Sequence, residues 1–381
     1  MIYLDNASTK ETNRICTRAI AEALYDNWGN PSSIHFLGVK AKTMLETDRE
    51  DVARFINANP EEIIFTSGGC ESNTLALCGF IKARPRRVTL ITTPIEHKSI
   101  MMLAEDHCSV RYVECQELTG IVFMKSLEEK LQEAQQNDMI PLVSVHYANN
   151  EIGTIQDIKT ITSLVHKYNG IMHTDATQMM CQEPIDVKEL DVDMLSFSGQ
   201  KLGTPKGVGV LYKKTNINIK PIIYGSQECG LRGGTENTAY IHCLAALIRK
   251  GYKYFHKQDV VQYFLEKLAS NNIRFISLGH PKERLSNHLS LCFIDFKEGG
   301  VPVIHGESLL YILDSKDIYV STGSACNSRS QGVSYVAKAI KIPEKYQYSI
   351  VRFTFSNSTT KRQVDKVVKA IVEGYNMLKA M

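Results

Sequence analysis

The sequence lacks several features that would each indicate a particular class of protein. Its ten cysteines include no C-x-x-C pair, which argues against a zinc site, and no signal segment indicates a secreted disulfide scaffold. It has no apolar run long enough to span a membrane, no low-complexity tract and no short internal repeat. We therefore expect a protein of the reducing cytoplasm that has no contact with a membrane.

The sequence also lacks a strong charge of either sign. It has 44 lysines and arginines against 41 aspartates and glutamates, and its formal net charge is +3. This balance gives no reason to expect direct binding of nucleic acid. What the sequence has is length, because 381 residues with 43% apolar content can bury a large core and indicate two domains.

Strand and helix patterns alternate through the middle of the chain. The predicted buried strands are short apolar runs at residues 88–93, 140–148, 171–175, 192–198 and 208–213. Helical spacing at residues 155–168 separates two of these strands. The alternation predicts an α/β fold, with helices on both faces of a mostly parallel sheet.

The last third of the chain has a different pattern. A long helix is predicted from about residue 236 to 257, and a closing helix is predicted at residues 359–378. Three further strands are predicted between these helices, at residues 288–294, 318–321 and 350–355. We expect this part of the chain to form a smaller domain.

Lys201 closes the segment Ser-Gly-Gln-Lys at residues 198–201, directly after a predicted strand. A buried lysine loses proton affinity, so its amine can be nucleophilic near neutral pH and can hold an aldehyde cofactor as an imine. The alternative for this motif on its own is a surface lysine that caps a strand. The segment therefore suggests pyridoxal phosphate but needs support from elsewhere in the chain.

Two upstream segments give that support. Asp175 ends an apolar strand, where an acid can hold the proton of a pyridine ring nitrogen, although alone it could equally cap a helix. The Gly68-Gly69 turn follows another apolar run and opens a helical pattern, so its backbone N–H groups can bind a phosphate. A phosphate site, a ring acid and an imine lysine in this order form a more specific set than any one of them.

These residues resemble the class V branch of the fold-type I pyridoxal-phosphate enzymes, specifically the cysteine desulfurases of the NifS/IscS type. The resemblance covers nearly the whole chain. Its landmarks are LDNAST at residues 4–9, NPSSIH at 30–35, EHK at 96–98, NNEIGT at 149–154, GGTEN at 233–237 and SAC at 324–326.

The resemblance implies an architecture. The large domain has a mostly parallel seven-stranded sheet flanked by helices, and a smaller α+β domain follows it. We assign residues 1–257 to the large cofactor-binding domain and residues 258–381 to the small domain, with residues 1–15 as candidates for packing against the small domain. The resemblance also implies a homodimer, in which Thr235 reaches the cofactor phosphate of the neighbouring subunit.

The resemblance further implies a reaction, the conversion of L-cysteine to L-alanine. Lys201 and His97 are the implied proton-handling groups, and the thiol of Cys326 takes up the substrate sulfur as a persulfide. Arg352, with Asn150, is the implied site for the substrate carboxylate. The residues implied to contact pyridoxal phosphate are Gly69, Cys70, His97, Asn150, Asp175, Gln178, Ser198, Gln200, Lys201 and Thr235.

Two of these assignments have plain alternatives. From the residues alone, Arg352 could be a surface arginine at a strand end, and His97 could be a structural histidine. Cys326 is better supported, because small and polar residues surround it at positions 321–330 and predict an exposed loop.

Three positions depart from the usual pattern of these desulfurases. Gln200 stands where they carry histidine, Cys70 where they carry threonine and Cys229 where they carry arginine. The amide of Gln200 can still donate to a phosphate, but the thiol of Cys70 is a poor donor. We therefore expect a working enzyme whose affinity for the cofactor is weakened.

Two other classes of function stay open. One is a different class V enzyme, an aminotransferase or a selenocysteine lyase, and the other is a catalytically silent scaffold protein. The loop that carries Cys326 argues against a plain aminotransferase, which has no use for a mobile thiol. The filled catalytic positions argue against a scaffold.

The sulfur acceptor is not identified by the sequence. The IscS-type resemblance implies iron–sulfur cluster assembly, but the chain ends at Met381, soon after the last predicted helix. It lacks the longer tail that those members use near their scaffold partner. Transfer RNA thiolation, cofactor sulfuration and a dedicated pathway are therefore all open.

Overall fold

The structure is a computed structural model that describes residues 1–85, 87–107, 109–297, 300–323 and 333–380. Its strands are β1 (Ile2–Tyr3), β2 (Ile63–Thr66), β3 (Val88–Thr92), β4 (Ser109–Tyr112), β5 (Ile140–Ser144), β6 (Ile171–Asp175), β7 (Met194–Ser198), β8 (Gly209–Lys213), β9 (Phe275–Leu278), β10 (His288–Phe293), β11 (Ile318–Tyr319) and β12 (Ile350–Thr354). Its helices are α1 (Arg14–Asp26), α2 (Phe36–Phe55), α3 (Gly69–Ala83), α4 (Lys98–His107), α5 (Met124–Gln136), α6 (Ile158–Lys167), α7 (Val187–Leu190), α8 (Thr238–Arg249), α9 (Gln258–Ser270), α10 (Gly306–Asp314), α11 (Tyr335–Ala339) and α12 (Lys361–Ala380).

The main sheet has seven strands in the order β2-β8-β7-β6-β5-β3-β4. Strands β4, β3, β5, β6 and β7 are parallel to one another, whereas β8 is antiparallel to both β7 and β2. All residues of β3, β7 and β8 are buried, as expected for strands covered by helices on both faces. The predicted α/β fold with a mostly parallel seven-stranded sheet is thus confirmed.

The topology brings polar residues to one edge of this sheet. Strands β5, β6 and β7 are adjacent and parallel, so the segments that follow their carboxyl ends lie side by side. Asp175 is the last residue of β6, and Lys201 closes the turn that follows β7. Sites in open parallel sheets are usually built at this edge.

A second, three-stranded antiparallel sheet has the order β12-β10-β9. Its apolar side chains pack with those of α9 and α12, for example Leu291 and Phe353 with Phe264 and Val367. The start of the chain joins this unit, because β1 pairs in parallel with β11 and because Leu4 is buried in the same cluster. The domain boundary at residues 257 and 258 stays a prediction.

The predicted long helix at residues 236–257 is wrong in its second half. Helix α8 ends at Arg249, and α9 begins only at Gln258. Gly251 has a φ of +83°, a backbone conformation that ends a helix and that side-chain-bearing residues rarely adopt. The following Tyr252 and Tyr254 pack their rings against Phe55 of α2, with centroid distances of 6.3 and 6.4 Å.

A buried ion pair fixes α2 against the main sheet. Arg49 donates two hydrogen bonds of 2.8 Å to the carboxylate of Glu228, which also accepts one of 2.9 Å from the backbone N–H of Phe65. The Arg49 guanidinium donates in addition to the carbonyl of Ile63 in β2. The pair therefore joins a helix, a strand and the loop that leads to Thr235.

None of the helices within the described ranges is both long enough and apolar enough to cross a bilayer.

Replacing Glu228 with alanine is expected to lower the free energy of unfolding by about 3 kcal/mol, because Arg49 would lose its buried partner and keep only the half-exposed Glu46, at 3.1 Å. Urea unfolding followed by circular dichroism measures this change. The matched control is Glu117→Ala, which removes an exposed pair with Lys341 at 2.8 Å and should cost at most about 1 kcal/mol. Equal losses in the two variants would show that the Arg49–Glu228 pair has no special structural weight.

Candidate active site

Residues from widely separated segments line one pocket of 240 Å³ at the carboxyl edge of the main sheet. The residues that line it are Ala7, Ser8, Gly69, Cys70, Asn73, His97, His146, Ala148, Asn150, Asp175, Thr177, Gln178, Ser198, Gln200, Lys201 and Arg352. The structure thus brings together every predicted site residue except two. Thr235 lines a separate cavity beside Arg232, and Cys326 lies outside the described residues.

Lys201 projects from the single turn that follows β7. Its Nζ donates to the backbone carbonyls of Ala7, at 2.7 Å, and of Ser8. Burial, together with the nearby positive charge of Arg352, lowers the pKa of Lys201 to about 8. The lysine is therefore a nucleophilic amine near neutral pH rather than the surface lysine of the alternative interpretation.

Asp175 is buried at the end of β6, and both oxygens of its carboxylate accept hydrogen bonds. Asn73 Nδ2 donates to Oδ2 at 2.8 Å, and the backbone N–H of Thr177 donates to Oδ1 at 2.9 Å. These two hydrogen bonds fix the position of the carboxylate, which suits a partner for a protonated ring nitrogen. Sequence analysis missed Asn73. The signal available in the sequence was an asparagine next to the apolar run of α3.

A histidine lies beneath Asp175 on the same strand. His173 is completely buried, and its ring nitrogens lie 2.8 Å from Ser144 Oγ and 3.0 Å from Ser196 Oγ. Burial lowers the pKa of His173 to about 4, so the ring is uncharged at neutral pH. It therefore ties β5, β6 and β7 together without adding charge below the site.

The amino end of α3, the predicted phosphate site, opens into the pocket through Gly69 and Cys70. Helix α3 begins at Gly69, where an added Cβ would lie 3.1 Å from Thr177 Oγ1 and 3.6 Å from Ser198 Cβ. Thr177 Oγ1 is buried and has no hydrogen-bond partner among the residues that the structure describes. Backbone N–H groups, the hydroxyls of Thr177 and Ser198 and the exposed Cys70 thus surround a space that suits a phosphate.

The donor set of the pocket fits pyridoxal phosphate. Such a ligand needs a phosphate site, an acid for the ring nitrogen and an amine for the aldehyde, and the pocket supplies all three. Buried polar atoms of Asn73, Thr177 and Arg352 that lack partners within the described part of the chain also line it. A polar ligand in the pocket would satisfy them.

His97 immediately precedes helix α4. Its Nδ1 lies 2.9 Å from Ser99 Oγ and accepts from the backbone N–H of Ser99 at 3.2 Å. Asn73 Nδ2 donates to the same Ser99 hydroxyl at 3.1 Å, so the residue that holds Asp175 also helps to orient His97. A lone histidine is often structural, but this one lines the pocket.

Arg352 is 1% exposed and lies in the middle of β12, which rules out a surface arginine at a strand end. Nη2 donates to Asp5 Oδ1 at 2.7 Å and to Ser8 Oγ at 2.8 Å, and Nη1 donates to the carbonyl of Asn150 at 2.8 Å. The guanidinium therefore already has one carboxylate partner. Its Nε has no hydrogen-bond partner within the described residues and is available to a further acceptor.

The remaining predicted residues have the following positions. Gln178 donates to the carbonyl of Ala7 at 3.0 Å, and Gln200 lies in the turn that leads to Lys201. Cys229, one of the departures, is exposed and has a φ of 56°. The segment that leads to Cys326 starts at Ser321, whose backbone pairs with that of Arg352 in two hydrogen bonds of 3.2 and 2.6 Å.

Comparisons with known proteins agree with this site. The family model described as aminotransferase class-V matches residues 2–367. The cysteine desulfurase IscS of Dictyoglomus turgidum is 35% identical over 387 aligned residues, which cover 98% of this chain and 94% of the relative. A solved structure described as a NifS-like protein is 31% identical, with a TM-score of 0.86 and 99% coverage of both chains.

A further solved structure, described as SspA in complex with cysteine, is 30% identical and has a TM-score of 0.80. It covers 93% of this chain and 99% of its own. These matches extend over nearly the full length of the sequence, at identities of 30% or more. The chain therefore belongs to the class-V aminotransferase family and, within it, to the group of cysteine desulfurases named IscS and NifS.

Proposed function

We propose that this protein is a pyridoxal-phosphate-dependent cysteine desulfurase, which converts L-cysteine to L-alanine and takes the sulfur as a persulfide on Cys326. The observation that carries the proposal is the shared pocket of Lys201, Asp175 and Arg352, in which the pKa of the lysine is lowered to about 8. The names of the relatives support the reaction, and the solved relative described in complex with cysteine supports the substrate.

The residues that would hold the cofactor divide by function. The amino end of α3 at Gly69, with Ser198 and Thr177, would bind the phosphate, and Asp175 would pair with the ring nitrogen. Lys201 would bind the aldehyde carbon through Nζ, and His97 would cover one face of the ring. When bound, pyridoxal phosphate withdraws electrons from the α carbon of an attached amino acid.

The protons of the reaction are handled by side chains of this pocket. Lys201, released by the incoming substrate, takes the α proton at Nζ, and the carbonyls of Ala7 and Ser8 hold its ammonium form. The thiolate of Cys326 attacks the sulfur of cysteine and forms a sulfur–sulfur bond while the carbon–sulfur bond breaks. The electron pair of the broken bond stays with the carbon skeleton, which gains a proton and leaves as alanine.

Arg352 is proposed to bind the substrate carboxylate. A guanidinium can hold two carboxylates at once, because its five N–H groups point in several directions. Asp5 and Ser8 occupy Nη2 and fix the plane of the group, which leaves Nε to the substrate. Asn150 lies beside this position in the pocket and adds a side-chain amide.

The proposed assembly is a homodimer in which Thr235 completes the site of the neighbouring subunit. Thr235 does not line the pocket of its own chain. Large apolar side chains at the end of α1 and around the start of α2 are strongly exposed, including Tyr25 at 81%, Ile34 at 98% and Phe36 at 78%. Exposed apolar side chains of this size are typical of a protein interface.

The wild-type protein is expected to release equimolar alanine and sulfide from L-cysteine in the presence of a reductant. Cys326→Ala should keep the absorbance of the bound cofactor but release no sulfide, whereas Lys201→Ala should lose the absorbance of the lysine adduct. Cys78→Ala is the matched control, and we expect it to leave both the sulfide release and the cofactor absorbance unchanged. Coloured wild type without sulfide would favour another class V reaction, and no colour with added cofactor would favour a scaffold protein.

The rate at which apoprotein takes up pyridoxal phosphate should rise with pH, with a midpoint near 8. The reason is that the pKa of Lys201 is lowered to about 8, so its uncharged amine becomes the main form as the pH rises through that value. Stopped-flow absorbance measures the rate.

Arg352→Gln should move this midpoint to higher pH, because the variant removes a positive charge that lowers the pKa of Lys201. Arg352→Lys keeps the charge and should leave the midpoint in place, which makes it the matched control. A midpoint near 10 in the wild type would contradict the proposed role of burial.

The double variant Ile34→Asp, Phe36→Asp is expected to be a monomer, whereas the wild type is expected to be a dimer. Light scattering after size-exclusion chromatography measures the mass. Tyr311→Asp, which alters another side chain that is 69% exposed, is the control and should remain dimeric. A monomeric wild type would remove the role proposed for Thr235.

A further inference from the structure

A buried carboxylate, that of Glu96, contacts a buried imidazole, that of His146, which lines the pocket. Glu96 is completely buried, and His146, which follows β5, is 4% exposed. His146 Nδ1 lies 2.9 Å from Glu96 Oε1, within ion-pair distance although not aligned for a hydrogen bond, and the backbone N–H of His146 donates to Oε2 at 2.8 Å. Thr93 Oγ1 donates to Oε1 at 2.6 Å, so the carboxylate is held in place.

The other ring nitrogen of His146, Nε2, is not engaged by Glu96. Nε2 is buried, and no atom of the described residues forms a hydrogen bond with it. A buried polar atom without a partner is unfavourable, so a group that enters the pocket is needed to satisfy it. His146 lines the same pocket as Asp175 and Lys201.

The strand register sets His146 beside Asp175. Ser144 of β5 pairs with His173 of β6, and their side chains hydrogen-bond at 2.8 Å on one face of the sheet. Two residues further along each chain, His146 and Asp175 occupy the same face, since side chains alternate between faces. The backbone N–H of Tyr147 donates to the carbonyl of Asp175 at 2.9 Å, which shows that the two segments remain adjacent there.

We propose that His146 is a further cofactor-binding residue, whose Nε2 hydrogen-bonds to bound pyridoxal phosphate at the ring edge beside Asp175. Glu96 acts as a positioning residue, because it holds the Nδ1 edge of the imidazole and thereby directs Nε2 into the pocket. This inference rests on the proposed function, since it takes pyridoxal phosphate as the ligand.

Several charged and titratable groups surround the Glu96–His146 pair. Glu96 and His97 follow β3, Asp175 ends β6, and Asp175, Lys201 and Arg352 line the pocket together with His146. Cys115 is another titratable group near Glu96. Burial raises the pKa of its thiol, and the negative charge of Glu96 raises that pKa as well. His146 thus has the Glu96 carboxylate 2.9 Å from Nδ1 and shares the pocket with the Asp175 carboxylate.

Two substitutions of His146 separate binding from structure. Asparagine places its amide where Nδ1 lies and leaves nothing at Nε2, whereas glutamine reaches the position of Nε2. His146→Asn is therefore expected to weaken pyridoxal phosphate binding to the apoprotein about tenfold and to shift the absorbance maximum of the bound form. His146→Gln should bind within about threefold of the wild type.

The control variants are His166→Asn and His166→Gln, which alter a histidine on α6 that pairs with Asp193 at 2.9 Å away from the pocket. They should change neither binding nor absorbance. If His146 only supports Glu96, the order reverses and His146→Asn binds better than His146→Gln. That order, or binding and absorbance like the wild type in both His146 variants, would overturn the inference.

A second measurement does not depend on the folding of His146→Asn. In wild-type protein with carbon-13 at histidine Cε1, the resonance that is missing from His146→Gln should shift when pyridoxal phosphate is added. The resonance that is missing from His166→Gln should not move. If the protein binds the cofactor and becomes coloured but the His146 resonance does not move, this inference alone is wrong. If the wild type binds no cofactor, the proposed function itself is wrong.

Discussion

The buried guanidinium of Arg352 is the contact on which the rest of the site depends. It joins the amino-terminal segment through Asp5 and Ser8, the loop after β5 through the carbonyl of Asn150, and the small sheet through its own strand β12. A buried charge is unfavourable without a partner, and the carboxylate of Asp5 supplies one. The same positive charge helps to lower the pKa of Lys201, so one residue links the architecture to the chemistry.

Much of this arrangement could be predicted from the sequence because it follows from local patterns. The apolar strands that end at Asp175 and just before Lys201 have the right lengths and the right order, and parallel strands bring their ends together. The Gly68-Gly69 turn before an amphipathic run likewise identified the amino end of α3. For Arg352, the residues alone left two interpretations, and only the fold shows that it is buried.

The rest depends on contacts between distant parts of the chain. Asn73 holds Asp175 across 102 positions, and nothing in the local sequence of α3 specifies that partner. His146 appears as one polar residue after an apolar strand, and its importance depends on the register of β5 with β6. The break after α8 was missed because helical spacing continues through residues whose aromatic rings are in fact held by Phe55.

The proposed phosphate site has more hydrogen-bond donors than the sequence alone indicates. Cys70 is a weak hydrogen-bond donor, and it is exposed at the edge of this site. Thr177, which sequence analysis did not assign, brings a hydroxyl to within 3.1 Å of the position that a Cβ on Gly69 would take. Gly69 therefore leaves room for the phosphate, and Thr177 contributes a donor of the kind that Cys70 lacks.

The pairing of β1 with β11 has a consequence for the time at which the site forms during synthesis. Ile2 and Tyr3 pair with Ile318 and Tyr319, which lie far along the chain. The backbone carbonyls of Ala7 and Ser8, which accept hydrogen bonds from Lys201, lie only a few residues after β1. A ribosome must therefore translate most of the chain before the first residues can dock. The main sheet can form earlier, but Lys201 acquires its final surroundings only when both ends of the chain have met.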